Sequence, residues 1–124
     1  MLPIYEALAR LALEEFGIHR GGVVTDATFV GGTSSSPNKL RLVLRDGFFV
    51  DVWLSLDGDY AYHWEQRRQR GRIYHWDNAP HHPHVNTFPD HLHNEQDSAV
   101  VESHLSSITT DALRQILEFI AQHL

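Results

Sequence analysis

The chain of 124 residues has no cysteine and one methionine. Without cysteine there is no disulfide, no thiolate metal site and no thiol nucleophile, which fits a reducing cytoplasm. No apolar run approaches the length of a membrane span. The opening residues, "MLPIYEALARLALEEFG", lack a basic n-region and carry an acidic pair, so a signal peptide is not expected. Serine-elbow, P-loop and GxGxxG patterns are missing, which removes hydrolases of that type and nucleotide-binding folds. Positive charge is scarce as well: the formal net charge is −6, the wrong sign for a general nucleic-acid coat. That charge is uneven. Residues 39–72 hold Lys39, Arg41, Arg45, Arg67, Arg68, Arg70 and Arg72 against Asp46, Asp51, Asp57, Asp59 and Glu65, so a basic stripe lies on an acidic chain. The expectation is one cytoplasmic domain, 1–124, off the membrane.

What is abundant is histidine. Six of the ten histidines and three of the five prolines fall in "HWDNAPHHPHVNTFPDHLH", residues 75–93. Each proline fixes φ, removes an N–H and biases its predecessor toward extended geometry, so neither helix nor regular strand is expected across that stretch. A connection from Asn78 to about Asp97 is long for a compact domain unless it carries function or is disordered.

Around it the patterning is ordinary. Pro3 followed by Ile4, Leu8, Leu11, Ala12 and Phe16 predicts an N-terminal helix stopped at Gly17. Val23–Val30, the alternating Leu40/Leu42/Leu44, Phe48/Val50/Val52/Leu54 and Tyr60/Tyr62/Trp64, and Arg72–Asp77 predict an antiparallel meander of about five strands. Asp46-Gly47, Asp57-Gly58 and "QRRQRG" supply its turns. Thr110 is the expected N-cap of a C-terminal helix with Leu113, Ile116, Leu117, Ile120 and Leu124 on one face. The class is α+β. An exposed stripe on the last helix is compatible with a homodimer.

Strand phase bears on function. With the aromatics turned inward, His63, Asp51 and Trp53 share the outer face with His75 and Asp77. Histidine can act as base toward a 2′-OH and as acid toward a leaving oxygen. His75, Asp77, His81 and His82 are therefore acid–base candidates, and Arg67, Arg68, Arg70 and Arg72 candidates for phosphate contact. Equally, Asp77-Asn78 reads as a turn start by side-chain-to-backbone bonding. His82, His84, His91 and His93 form two His-x-His pairs able to ligate a divalent metal, although no zinc signature or HExxH is present. From the residues alone, a small α+β domain with a candidate site near 75–93 follows, but not a reaction.

"YHWDNAPHH" followed by "TFPDHLH" resembles the TumE-like toxin family of prokaryotic toxin–antitoxin modules. The resemblance extends in layout over "FFVDVWLSL", "YAYHWEQ", the arginine turn and the histidine loop. Asp77-Asn78-Ala79-Pro80-His81-His82 is its most specific part, with Asn78, Pro80, His91 and His93 as further motif positions. Asp90 and Leu92 depart from the histidine and lysine of the family pattern. The resemblance implies a growth-inhibiting protein neutralised by an antitoxin, often of helix-turn-helix type. The leading expectation is a toxin acting on RNA as a ribonuclease, with no cofactor. The alternative is a non-catalytic module that docks its partner through the His/Pro-rich loop. A third reading is a metal-dependent nuclease or phosphoesterase.

Overall fold

A computed structural model describes residues 1–66 and 70–124. The arginine turn at Arg67 and Arg68 lies outside the described residues. Helix α1 (Leu2–Phe16) opens with Pro3 in its first turn and is capped by Gly17. Seven strands follow, β1 (Val24–Val30), β2 (Lys39–Leu44), β3 (Phe49–Leu54), β4 (Tyr60–Gln66), β5 (Arg72–Asp77), β6 (His91–Glu95) and β7 (Val100–Glu102), before helix α2 (Thr109–His123). The strands form one antiparallel meander in the order β1 to β7. The α+β class holds, with seven strands where about five were expected. Of the two additional strands, β6 lies within the 78–97 stretch read as a loop, and β7 lies just beyond it, in "SAVVES". Pro89 is the last proline of the chain, so from His91 onward every N–H can enter a ladder.

The chain divides into two compact units, residues 1–49 with 105–124, and residues 50–104. In the first, β1 pairs with β2 through Phe29↔Leu40 and Ala27↔Leu42, with a bulge between Val24 and Asp26. Leu40, Leu42 and Leu44 are buried, as are Leu113, Ile116, Leu117 and Ile120 of α2. The buried stripe of α1 is Tyr5, Leu8, Leu11 and Ala12, one residue round from the expected Ile4, which is 42% exposed. Tyr5 takes the inner place because its ring fills the core while its hydroxyl donates to the Asn38 carbonyl (2.9 Å). Gly17 ends α1 in extended geometry, φ −67°, and not in the left-handed form common at helix ends. A Cβ there would meet the Leu13 carbonyl oxygen at 2.3 Å, so close approach is what demands glycine. Helix α2 starts at Thr109 with Ile108 at the N-cap, two positions before the expected Thr110, and without a side-chain cap. Instead Ser106 Oγ accepts the Ile108 N–H (3.0 Å).

In the second unit β4 pairs with β5 and β5 with β6, and β6 carries the short outer strand β7. Val50, Val52, Leu54, Tyr62, Trp64, Tyr74 and Trp76 are buried, with Trp64 stacked on Tyr74 at 5.0 Å between ring centroids. The β3–β4 turn is Asp57-Gly58, as expected. Ser55 Oγ accepts the N–H groups of Asp57 and Asp59, and Gly58 holds φ +91°, a conformation that glycine reaches without a Cβ penalty.

Candidate functional site

The site is written in the register of three strands. His63 lies opposite His75 across β4–β5, His75 opposite His93 across β5–β6, and Asp77 opposite His91. Side chains two apart on a strand share a face, so Asp77 and His91 stand one step along the face from the His63–His75–His93 row. Facing residues lie only about 5 Å apart, and three imidazoles therefore surround one carboxylate.

Asp77, 8% exposed, is the hub. Its Oδ2 receives His75 Nε2 at 2.8 Å and lies 3.7 Å from His93 Nε2, while Oδ1 receives His91 Nε2 at 3.0 Å and the Ala79 N–H at 2.9 Å. Burial opposes ionisation of this carboxyl. The hydrogen bonds from His75 and Ala79, together with the charges of His75 and His91 when those rings are protonated, outweigh it and hold the group below the usual carboxylate range. An ionised carboxylate only accepts hydrogen bonds, so His75 carries its proton on Nε2. His75 Nδ1 is 2.9 Å from His63 Nδ1; with His75 neutral, His63 donates across that contact. His63 Nε2 then presents a lone pair, 3.6 Å from Glu65 Oε2. The result is a relay of Asp77, His75 and His63.

The 78–90 connection folds back toward this face. Asn78 anchors its start: Oδ1 accepts the Tyr60 N–H (3.0 Å) and Nδ2 donates to the Gly58 carbonyl (3.1 Å). Thr87 anchors its end, with Oγ1 donating to the Asp90 carbonyl (2.7 Å) and accepting the Ser103 N–H (3.0 Å). Between them, the His82 ring comes within 4.6 Å of the His91 ring and 5.4 Å of the His93 ring, centroid to centroid. Partial loss of water, then the positive charge of His91, His93 and His84, lowers the pKa of His82. His82, His91 and His93 each offer a ligand nitrogen, all within 4.8 Å of one another. His84 makes a ring contact with His82, 5.9 Å between centroids, and among the described residues stays outside that triad.

Beside Asp77 an open pocket of about 350 Å³ is lined by Trp53, Asp59, Tyr60, Ala61, His75, Asp77, Asn78, Ala79 and Pro80. Its walls are mostly apolar and aromatic, with His75 and Asp77 as the reactive groups. Trp53 is 42% exposed. Tyr60 Oη donates to Asp90 Oδ1 (2.7 Å), and burial followed by that bond pushes its phenol well above the ordinary range.

The structure thus brings together His75, Asp77, His82, His91 and His93, and puts Asn78 and Pro80 at the pocket. His81 is exposed on the loop. Arg72 is at the far end of β5, five residues from Asp77 and therefore about 17 Å along the strand. It pairs with Glu95 at 3.6 Å. Arg70 is exposed, and Arg67 and Arg68 lie outside the described residues. His63 belongs to the relay although its residue type alone gave no reason to select it. Its signal was the shared strand face with His75.

No helix among the described residues is long and apolar enough to cross a membrane. Neither a curated protein nor a solved structure matches the chain. A family model described as Toxin TumE matches residues 13–124, which takes in every strand, the carboxylate hub and all the imidazoles around it. The chain belongs to the TumE toxin family.

Proposed function

Membership of a toxin family implies an antitoxin partner; we propose that the toxin acts on RNA as a ribonuclease and that the partner is of helix-turn-helix type. The observation that carries the RNA reading is the Asp77–His75–His63 relay beside a pocket walled by Trp53 and Tyr60. Flat aromatic walls suit an unstacked base, the form in which RNA is most often read.

The chemistry asks for two proton transfers. A base takes the 2′-OH proton, the 2′ oxygen attacks phosphorus, and the departing 5′ oxygen takes a proton, leaving a 2′,3′-cyclic phosphate. His63 Nε2 supplies one transfer, with the imidazolium charge spread through His75 to Asp77. His81, exposed just beyond Pro80, is the candidate for the other. Arg67, Arg68, Arg70 and Arg72 are the candidates for contact with the RNA backbone.

Induced expression of the wild type, His75→Ala and His81→Ala, followed by mapping of cellular RNA ends, tests this reading. Growth arrest with new 2′,3′-cyclic phosphate ends for the wild type, and neither for folded His75→Ala, is the expected result. Arrest with intact RNA would overturn it in favour of toxicity by binding.

A further inference from the structure

Hydrogen-bond bookkeeping at His91 leaves an imbalance. The ring is 1% exposed, and both of its nitrogens face acceptors: Nδ1 meets the Pro89 carbonyl at 2.9 Å, and Nε2 meets Asp77 Oδ1 at 3.0 Å. A neutral imidazole has one N–H and cannot satisfy both. Two arrangements restore the balance: a second proton on the ring, as in the hydrogen bond to Asp77, or a metal ion held by the Nε2 lone pair.

His93 repeats the arrangement. Its Nδ1 lies 2.8 Å from the Asp97 carbonyl, which fixes the proton on that nitrogen and turns the Nε2 lone pair toward Asp77 Oδ2, 3.7 Å away. Two imidazoles with Nδ1–H held by backbone carbonyls and Nε2 presented to one point are arranged as metal-ligating histidines are by their outer partners. The third, His82, is delivered from a different element, the 78–90 connection.

We propose that His82, His91 and His93 bind one divalent first-row transition metal ion of the zinc class. The distances fit. Three atoms no more than 4.8 Å apart share a point within about 2.8 Å of each, so each nitrogen moves less than about 1 Å to reach a zinc–nitrogen bond of about 2.0–2.1 Å. Donor chemistry selects the ion: imidazole nitrogens suit zinc, nickel, cobalt and copper, whereas magnesium and calcium require oxygen ligands. His84, also a metal candidate by sequence, takes no part.

The ion would clamp the connection to β6, fixing the loop that bears His81 and one wall of the pocket. The inference is independent of whether RNA is cleaved.

Calorimetric titration of zinc into metal-stripped, tag-free full-length protein tests it, with magnesium as the control ion. One zinc per chain is expected, with no magnesium binding. Loss of an outer partner weakens metal binding about 10–100-fold, so His82→Ala, His91→Ala and His93→Ala each weaken it by about 100-fold or more. His81→Ala and His84→Ala bind as the wild type does. His82→Ala, a substitution on a half-exposed loop, keeps the test sound if the buried His91→Ala fails to fold. A stoichiometry other than one, unchanged affinity in His82→Ala, or equal losses in all five variants would overturn the proposal, the last by showing a diffuse histidine surface.

Discussion

Replacing Asp77 with asparagine keeps the shape of the hub and removes its charge. The carboxylate accepts from His75 at 2.8 Å, His91 at 3.0 Å and the Ala79 N–H at 2.9 Å. An amide can keep its carbonyl toward only one side. Aimed at Ala79 and His91, it turns an NH2 group against the Nε2–H of His75. Hydrogen bonds to charged groups contribute about 1.5–3 kcal/mol each, against about 1 kcal/mol for neutral ones, so loss of charge at both imidazoles and of one bond destabilises by about 2–4 kcal/mol. Asp59→Asn, at the exposed rim of the same pocket, stays within about 0.5 kcal/mol. Urea unfolding of the metal-stripped proteins at neutral pH measures both. An Asp77→Asn deficit no larger than that of Asp59→Asn would refute the view that an ionised carboxylate organises the histidines.

Two further substitutions probe the supports. Asn78→Ala removes two bonds to backbone groups, at 3.0 and 3.1 Å, and should cost about 1–3 kcal/mol in the same assay; a cost below about 0.5 kcal/mol contradicts the anchoring role. Glu15 takes a paired contact from Arg114 at 2.9 and 2.8 Å, and that hydrogen bond, opposed by burial, holds its carboxyl below the usual glutamate range. A depressed carboxyl stabilises above its unfolded pKa and loses that contribution as pH falls through the folded value. The urea-midpoint gap between the wild type and Glu15→Gln should therefore shrink below pH 4.5. It should also shrink in about 1 M NaCl, where the Debye length is about 3 Å. A gap constant across both conditions contradicts the ion pair.

The elements with clean periodicity were legible in the sequence. Alternation at Leu40/Leu42/Leu44 and Tyr62/Trp64 reports a two-residue repeat with one face buried, and those residues are buried. The α1 stripe was misjudged by one residue because tyrosine has a polar tip, and only the Asn38 carbonyl shows where that tip is satisfied. Strand β6 was hidden by the prolines before it, whose effect ends at Pro89. That omission also hid the geometry of the site. The proximity of His75 and Asp77 follows from their two-residue spacing, but His91 and His93 join them only through pairing with β5, which is non-local information. His82 comes nearer still to that limit, since only the fold of the loop places it. Side-chain-to-backbone bonding at Asp77-Asn78 was legible as a turn signal, although the partners of Asn78 across the β3–β4 turn were not, and the backbone-holding role of Thr87 was not legible at all.

The central claim is that the relay ending at His63 moves protons for RNA cleavage. Its most direct test incubates purified wild type and His63→Ala with single-stranded RNA and assays 2′,3′-cyclic phosphate ends, with folding checked by circular dichroism. The account predicts such ends with the wild type and at least about a hundredfold fewer with folded His63→Ala, the scale of a general acid–base contribution. Equal cleavage by both proteins, or intact RNA with the wild type, would contradict it.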